Sequence, residues 1–219
     1  MKRCVIIGAA QIQNYSKIKS YLSADDFCIF CDGGLKHQQS LELHPDLIVG
    51  DFDSADFSDG QKTAGKAQAE IIKLPCEKDD TDVFFAVKEA VSRGFDDFLL
   101  IGVIGQRFDH SLCNISVLLY LYEHKKSAVI LDDYSEMQII GAETLQQPAE
   151  ITDTYSYFSL MCPFGDVSGV TIKNAKYPLE NAEIKCSYQY GISNEVLKEK
   201  TASVFVKSGL LLLIKIFSN

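Results

Sequence analysis

Short apolar runs recur along the first part of the chain: RCVIIG at 3–8, DFCIFC at 26–31, DLIVG at 46–50, EIIKL at 70–74, DFLLIG at 97–102 and SAVILD at 127–132. Each is almost wholly apolar and only a few residues long, the pattern of a strand buried on both faces. The intervening segments predict helices over 15–22, 35–43, 59–69, 82–93 and 110–123. The clearest is 82–93, where Val83, Phe84, Val87, Ala90 and Val91 form one apolar stripe and Gly94 can end the helix. Strands alternating with helices predict a parallel sheet covered on both sides.

After Asp132 the rhythm changes to β-rich pieces, EMQIIGA, YFSLMC, GVTIKN, AEIKCS, TASVFV and GLLLLIKIF, punctuated by Gly165, Gly169, Pro178, Gly191 and Gly209. The expected architecture is therefore an α/β N-terminal domain with a mainly parallel sheet over 1–132, followed by an antiparallel β-sandwich or barrel-like domain over 133–219. No low-complexity linker separates the two, and no internal repeat is visible.

Composition narrows the chemistry. With 219 residues and 47% hydrophobic content, the chain can bury a sizeable core without disulfide staples. Thirty acidic against twenty-one basic residues give a net charge of -9, and no Lys/Arg cluster offers a face for DNA or RNA, so a nucleic-acid partner is not expected. An acidic protein can still bind a phosphate ligand when a divalent cation lies between the two. The apolar run after the opening Met-Lys-Arg is short and reads as a first strand, and GLLLLIKIF is broken by Lys215 and falls below the roughly 20 residues of a membrane span. Seven scattered cysteines suggest reduced, small core residues in a soluble cytoplasmic protein. Cys28 and Cys31 form a C-x-x-C pattern, but on a strand they face opposite ways and cannot share a zinc ion or a disulfide.

The candidate chemistry lies at the strand ends. GDFDS places Asp51 and Asp53 two apart after an apolar strand, so both carboxylates can address one site where ligands settle in open parallel sheets; a polar turn is the competing explanation. EKDDTD crowds Glu77, Asp79, Asp80 and Asp82 before a helix, at a repulsive cost unless the cluster faces water or a cation. Asp79 followed by Asp82 also resembles a capping arrangement. Two carboxylate pairs on crossover loops fit a Mg²⁺-phosphate site better than capping and a solvated acidic loop together. GVIGQRFDHSLCNI supplies Arg107 as a planar donor, with Asp109, His110 and Asn114 at a helix start. In CDGG, Asp32 can contact a nucleotide or hydrated metal, and Gly33 and Gly34 can admit a nucleotide close to the main chain, unless they merely make a tight turn. QYGISNE places Ser193 and Asn194 where they can recognise a heterocycle or simply shape a loop. Neither a Walker A lysine motif nor GxGxxG is present, which removes most support for a P-loop ATPase or dinucleotide dehydrogenase.

Taken in order, DGG at 32–34, GDFDS at 50–54, EKDDTD at 77–82, GVIGQRFDH at 102–110, GDVSGVTIKNAKYPL at 165–179 and GISNE at 191–195 resemble the thiamine pyrophosphokinase family. The resemblance implies an α/β catalytic and ATP-binding domain and a β-rich thiamine-binding and dimerisation domain, paired in a homodimer. It implies Asp51, Asp53, Asp79 and Asp82 as catalytic and metal residues, Asp32, Arg107, Asp109 and Asn114 around the nucleotide, and Ser193 and Asn194 at thiamine. The implied reaction transfers the terminal diphosphate of ATP, with Mg²⁺, to the hydroxyl of thiamine and releases AMP. Another Mg-dependent phosphotransferase or diphosphotransferase acting on a heterocyclic alcohol is the alternative. Some members place a tryptophan against thiamine; this chain has none, so tyrosine, phenylalanine or another subunit must cover the ring.

Overall fold

The computed structural model describes residues 3–52, 69–75, 77, 79–188 and 190–218. Two compact units divide the chain, Met1–Asp133 and Tyr134–Asn219. The predicted helix over 59–69 lies outside the described residues apart from its last position.

In the first unit, β1 (Cys4–Ile7), β2 (Phe27–Cys31), β3 (Leu47–Gly50), β4 (Glu70–Lys73), β5 (Asp97–Ile101) and β6 (Ser127–Leu131) stand in the order β4-β3-β2-β1-β5-β6. Every pairing among them is parallel. All four residues of β1 are fully buried, as are Leu47, Ile48 and Val49; a strand covered on both faces has no polar side to expose, which is why CVII reads as an unbroken apolar run. Each such side chain removed from water contributes about 1.5–3 kcal/mol.

Helix α1 (Tyr15–Lys19) is shorter than expected and is capped by Asn14, whose side chain accepts from the Lys17 amide. The expected helix over 35–43 is instead a 3-10 turn, Asp32–His37, running into a single turn, α2 (Gln38–Leu41). Helix α3 (Asp82–Ser92) and α4 (Phe108–Glu123) follow the predicted spans closely. Ala86, Val87 and Ala90 form the buried stripe of α3, which packs on β1, β2 and β3. The rings of Phe84 and Tyr120 meet edge to face at 5.0 Å and join α3 to α4.

The second unit holds two antiparallel sheets. One contains β7 (Ser135–Ile140), β13 (Leu211–Phe217) and β9 (Tyr155–Met161), with β13 in the middle. The other runs β11 (Leu179–Ile184), β10 (Val167–Lys173), β12 (Thr201–Phe205) and β8 (Ala149–Thr152). Phe158, Leu160, Leu211 and Leu213 from the first sheet and Ile151, Val170, Ile172 and Val204 from the second share one core, so the unit is a sandwich and not a barrel. Strand β8 and the 3-10 turn Ala142–Leu145 were not expected. On β7, Glu136 is buried but paired, with Lys215 Nζ at 3.1 Å and the Tyr155 hydroxyl donating to it.

Cys28 and Cys31 are both buried and unbridged, as expected for core residues on a strand.

Candidate functional site

The strand order of the first unit reverses between β1 and β5. Crossovers on either side of such a point run to opposite faces of the sheet, leaving a crevice at the strands' carboxyl ends. A cavity of about 470 Å³ opens there, lined from one side by Ala9, Ala10 and Gln11 after β1 and from the other by Gly102, Val103 and Gly105 after β5. Backbone hydrogen bonds tie the two loops together, Gly8 N to Ile101 O at 2.9 Å and Ala10 N to Gly102 O at 2.8 Å. Lys36, Val83, Gln106, Arg107, His110 and Asn114 complete the lining among the described residues.

A second cavity of about 400 Å³ adjoins the first, sharing Ala9, Val83, His110 and Asn114 with it. Its other walls bring together Asp32 after β2, Asp51 after β3, and Asp80 and Asp82 from the segment entering α3. Four carboxylates from three different crossovers thus line one cavity. Asp32 packs against the end of β3 because Gly50 has no side chain; a Cβ there would meet the Asp32 Cβ at 2.8 Å. Asp32 itself has φ 33° and Phe52, beside Asp51, has φ 55°, a left-handed conformation that costs free energy for residues other than glycine and clusters at functional sites. Phe52 turns its ring into a small core with Ile48, Leu35 and Ala69, which offsets that cost.

The acidic loop divides its labour. Thr81, not Asp79, caps α3: its hydroxyl accepts from the Phe84 amide at 3.2 Å. The capping arrangement expected of Asp79 and Asp82 is therefore corrected, because the cap falls one residue before Asp82. Asp82 then occupies the first helical position, where the helix dipole favours a carboxylate. Asp80 is paired with Lys88 at 2.5 Å. Asp79 is exposed and lines neither cavity. Asp53 lies outside the described residues.

At the other crossover, Arg107 donates to Asp109 through Nε at 3.0 Å and Nη2 at 2.6 Å. The guanidinium holds the Asp109 carboxyl well below the usual carboxylate range. Both side chains are largely exposed, so water screens the pair and its effect is to orient the fork and not to stabilise the fold. Asp109 does not cap α4 and lines neither cavity. Asn114 is buried and donates from Nδ2 to Val103 O at 2.7 Å, fixing the cavity floor. Ser111, which the sequence did not single out, accepts from the Gly105 amide at 3.0 Å and holds the same loop.

Gly34 does not admit a ligand: a Cβ there would meet Ile7 O at 2.4 Å, so the residue serves the packing of the 3-10 turn on β1, while Gly33 lines the acidic cavity. Lys36 and His37, on the same turn, were also missed. Lys36 Nζ donates to Ala9 O. His37 is buried between the Tyr15 hydroxyl, 2.7 Å from Nδ1, and Ala10 O, 2.8 Å from Nε2. Only the neutral tautomer with its proton on Nε2 satisfies both as donor to the carbonyl and acceptor from tyrosine. Burial pushes the imidazole below its ordinary range.

The expected heterocycle residues lie in the second unit. Asn194 is buried, and its amide is committed to the main chain: Nδ2 donates to Tyr177 O at 2.8 Å, and Oδ1 accepts from Tyr177 N at 3.0 Å and Glu195 N at 2.9 Å. Ser193 is exposed at φ 57°, its amide bonded to Ser159 Oγ at 3.0 Å. Nearby in sequence, Tyr188 and Tyr190 place their rings 6.4 Å apart.

The acidic cavity offers the carboxylates of Asp32, Asp51, Asp80 and Asp82 beside Thr81, His110 and Asn114; carboxylate oxygens dominate its charged lining, the chemistry of a hard cation such as Mg²⁺. Among the described residues no three metal-ligating side chains close on one point as a cage. A cavity of this size lined by separated carboxylates fits a cation that keeps part of its water shell, as Mg²⁺ does when it bridges carboxylates to phosphate.

Residues 18–131 match the model of the thiamin pyrophosphokinase catalytic domain, and residues 144–211 match that of the thiamin pyrophosphokinase vitamin B1 binding domain. A thiamine pyrophosphokinase of Bacillus subtilis (strain 168) is 29% identical over 216 residues, 98% of this chain and 99% of that protein. The Caenorhabditis elegans thiamin pyrophosphokinase 1 is 25% identical over 188 residues, covering 83% of this chain and 73% of the relative. In fold, the chain superposes on the crystal structure of thiamine pyrophosphokinase from Bacillus subtilis with a TM-score of 0.86 at 23% identity, covering both chains completely.

Proposed function

The chain belongs to the thiamin pyrophosphokinase family, and from that premise we propose that its acidic crossover cavity transfers the terminal diphosphate of ATP to the hydroxyl of thiamine. The enzyme is a thiamine diphosphokinase, a transferase. The observation that carries the site is the meeting of Asp32, Asp51 and Asp82, from three separate crossovers, at one cavity beside a second whose charged lining is cationic.

In the reaction an oxygen–phosphorus bond forms between the thiamine hydroxyl and the β-phosphorus, and the bond from that phosphorus to the α-phosphate oxygen breaks. The products are thiamine diphosphate and AMP. Asp51, Asp82 and Asp32, with Asp53 from the same motif as Asp51, would hold Mg²⁺, which when bound offsets the charge of the phosphate chain, and Asp79, which lines neither cavity, would have the lesser part among these metal residues. The cavity carboxylates also accept the proton that leaves the alcohol. Arg107, oriented by Asp109, and Asn114, fixed to Val103, bound the nucleotide. Their positions are set before substrate arrives, so little reorganisation accompanies the chemical step.

On the second unit, Ser193 meets thiamine from its exposed left-handed bend, and Asn194 contributes by gripping residues 177 and 195 on either side of it. Tyr188 and Tyr190 supply the aromatic surface that tryptophan would otherwise provide. Exposed Tyr157, Met161, Tyr190 and Ile192 favour a homodimer, since apolar groups of this size gain by being covered. Unbridged, buried Cys4, Cys28, Cys31 and Cys162 suit a reducing cytoplasm. No helix among the described residues is long and apolar enough to cross a membrane.

The test is to incubate the protein with ATP, thiamine and Mg²⁺ and to quantify both products. Equal amounts of thiamine diphosphate and AMP support the assignment. AMP without thiamine diphosphate, or neither product from folded protein, contradicts it.

A further inference from the structure

The two adjoining cavities differ in charge. Among the described residues, the smaller is lined by four aspartates and by no lysine or arginine, and the larger by Lys36 and Arg107 and by no carboxylate. Both ends of this polarity arise from one short turn: Asp32 opens the 3-10 segment DGGLKH and lines the acidic cavity, while Lys36, four residues on, lines the cationic one. The turn is fixed to β1 and the loop after it in three ways. Gly34 is packed against Ile7 O, the buried His37 bonds Ala10 O, and Lys36 Nζ bonds Ala9 O. Ala9 borders both cavities, so the ammonium is anchored at their common rim.

The two cations are not equivalent. Arg107 engages Asp109 through two donors, and that carboxylate offsets its charge locally. Lys36 is held by a carbonyl, which carries no net charge, so its positive charge is retained at the cavity, and an ammonium has three protons to donate. Resting on the reading that ATP is the diphosphate donor, we propose that Lys36 binds the α-phosphate of the nucleotide and stabilises it as it departs in AMP. When the bond between the β-phosphorus and the bridging oxygen breaks, its electron pair stays on that oxygen, and the departing α-phosphate gains negative charge. A fixed cation at the rim away from the carboxylates favours that charge more in the transition state than in bound ATP. The aspartates cannot serve this end of the nucleotide without repelling it.

The test separates charge from anchoring. Lys36→Gln keeps a donor for Ala9 O and removes the charge, and Lys36→Arg keeps the charge. Binding of AMP and of adenosine to each full-length protein is measured by calorimetry, together with kcat for thiamine diphosphate formation. Lys36→Gln is expected to weaken AMP about tenfold or more, to leave adenosine within about twofold, and to lower kcat; Lys36→Arg is expected to recover most of both losses. Unchanged AMP affinity in a folded Lys36→Gln protein overturns the proposal, as does an equal loss for AMP and adenosine, which marks a general distortion of the cleft. Failure of the unsubstituted protein to bind AMP or form it overturns the nucleotide reading itself, and this inference with it.

Discussion

Two buried asparagines, Asn114 in the first unit and Asn194 in the second, spend their amides in the same way yet belong to different kinds of region. Asn114 Nδ2 bonds Val103 O, and Asn194 Nδ2 bonds Tyr177 O. Around Asn114 the chain has opened a pair of cavities at the ends of parallel strands, and carboxylates from separate crossovers line one of them. Around Asn194 the polar side chain closes a loop against the sandwich, with the neighbouring Ser193 left outward. A parallel sheet creates a site by its topology, and the loop residues need only be polar. An antiparallel sandwich has no such crevice, so a polar loop must first hold itself in shape.

The largest effect that sharpens this comparison is on turnover. Asp51→Asn preserves side-chain size and removes one charge from the acidic cavity, so kcat is expected to fall by about 10²–10³ with little change in Tm. A stable variant with unchanged turnover at limiting Mg²⁺ would break the link between cavity and chemistry. Next, Asn194→Ala leaves three backbone partners without their bonds and should cost about 2–3 kcal/mol, read as a lower denaturation midpoint; any rise in KM for thiamine would follow from the loosened loop. Asn114→Ala should cost less stability, about 1–2 kcal/mol, but should lower turnover with saturating thiamine. Equal behaviour of the two variants in both assays would erase the distinction drawn between the regions.

A smaller effect concerns pH. His37 is held neutral by burial, its value lowered from the ordinary histidine range near ~6.5, with Lys36 acting in the same direction and Asp133 and the Ala10 carbonyl opposing. As pH falls, the unfolded chain takes up the proton first, so stability is complete above the unfolded value and declines from there toward the lower folded value. Tm should therefore drop between about pH 7 and pH 5 more steeply in the native protein than in His37→Asn. Parallel slopes would show that this imidazole is not the group responsible.

Much of the framework was legible because burial leaves a plain trace. CVII, FCIFC and LIVG are apolar throughout, and Val87 and Ala90 mark the buried face of α3. Strand β8, with the sequence AEIT, alternates too briefly to stand out. The helix expected over 35–43 became a tighter 3-10 turn because Gly34 must fit beneath Ile7 O, a contact between segments distant in sequence. Of the site, the strand-end placement of Asp51 and Asp32 was readable from the residues before them. Which acids of EKDDTD line the cavity was not, since the answer depends on Thr81 being the cap and the helix beginning at Asp82. Lys36 and His37 leave no periodic signal at all; their roles come from the carbonyls of Ala9 and Ala10, supplied by another loop.

The claim that cavity geometry, and not the mere acidity of the loop, carries the chemistry is tested most directly by comparing steady-state turnover of Asp82→Asn and Asp79→Asn at saturating ATP, thiamine and Mg²⁺. Asp82 lines the cavity and Asp79 does not, so turnover should fall by about 10² or more in the first variant and clearly less in the second. Equal losses, or a larger loss at Asp79, would contradict it.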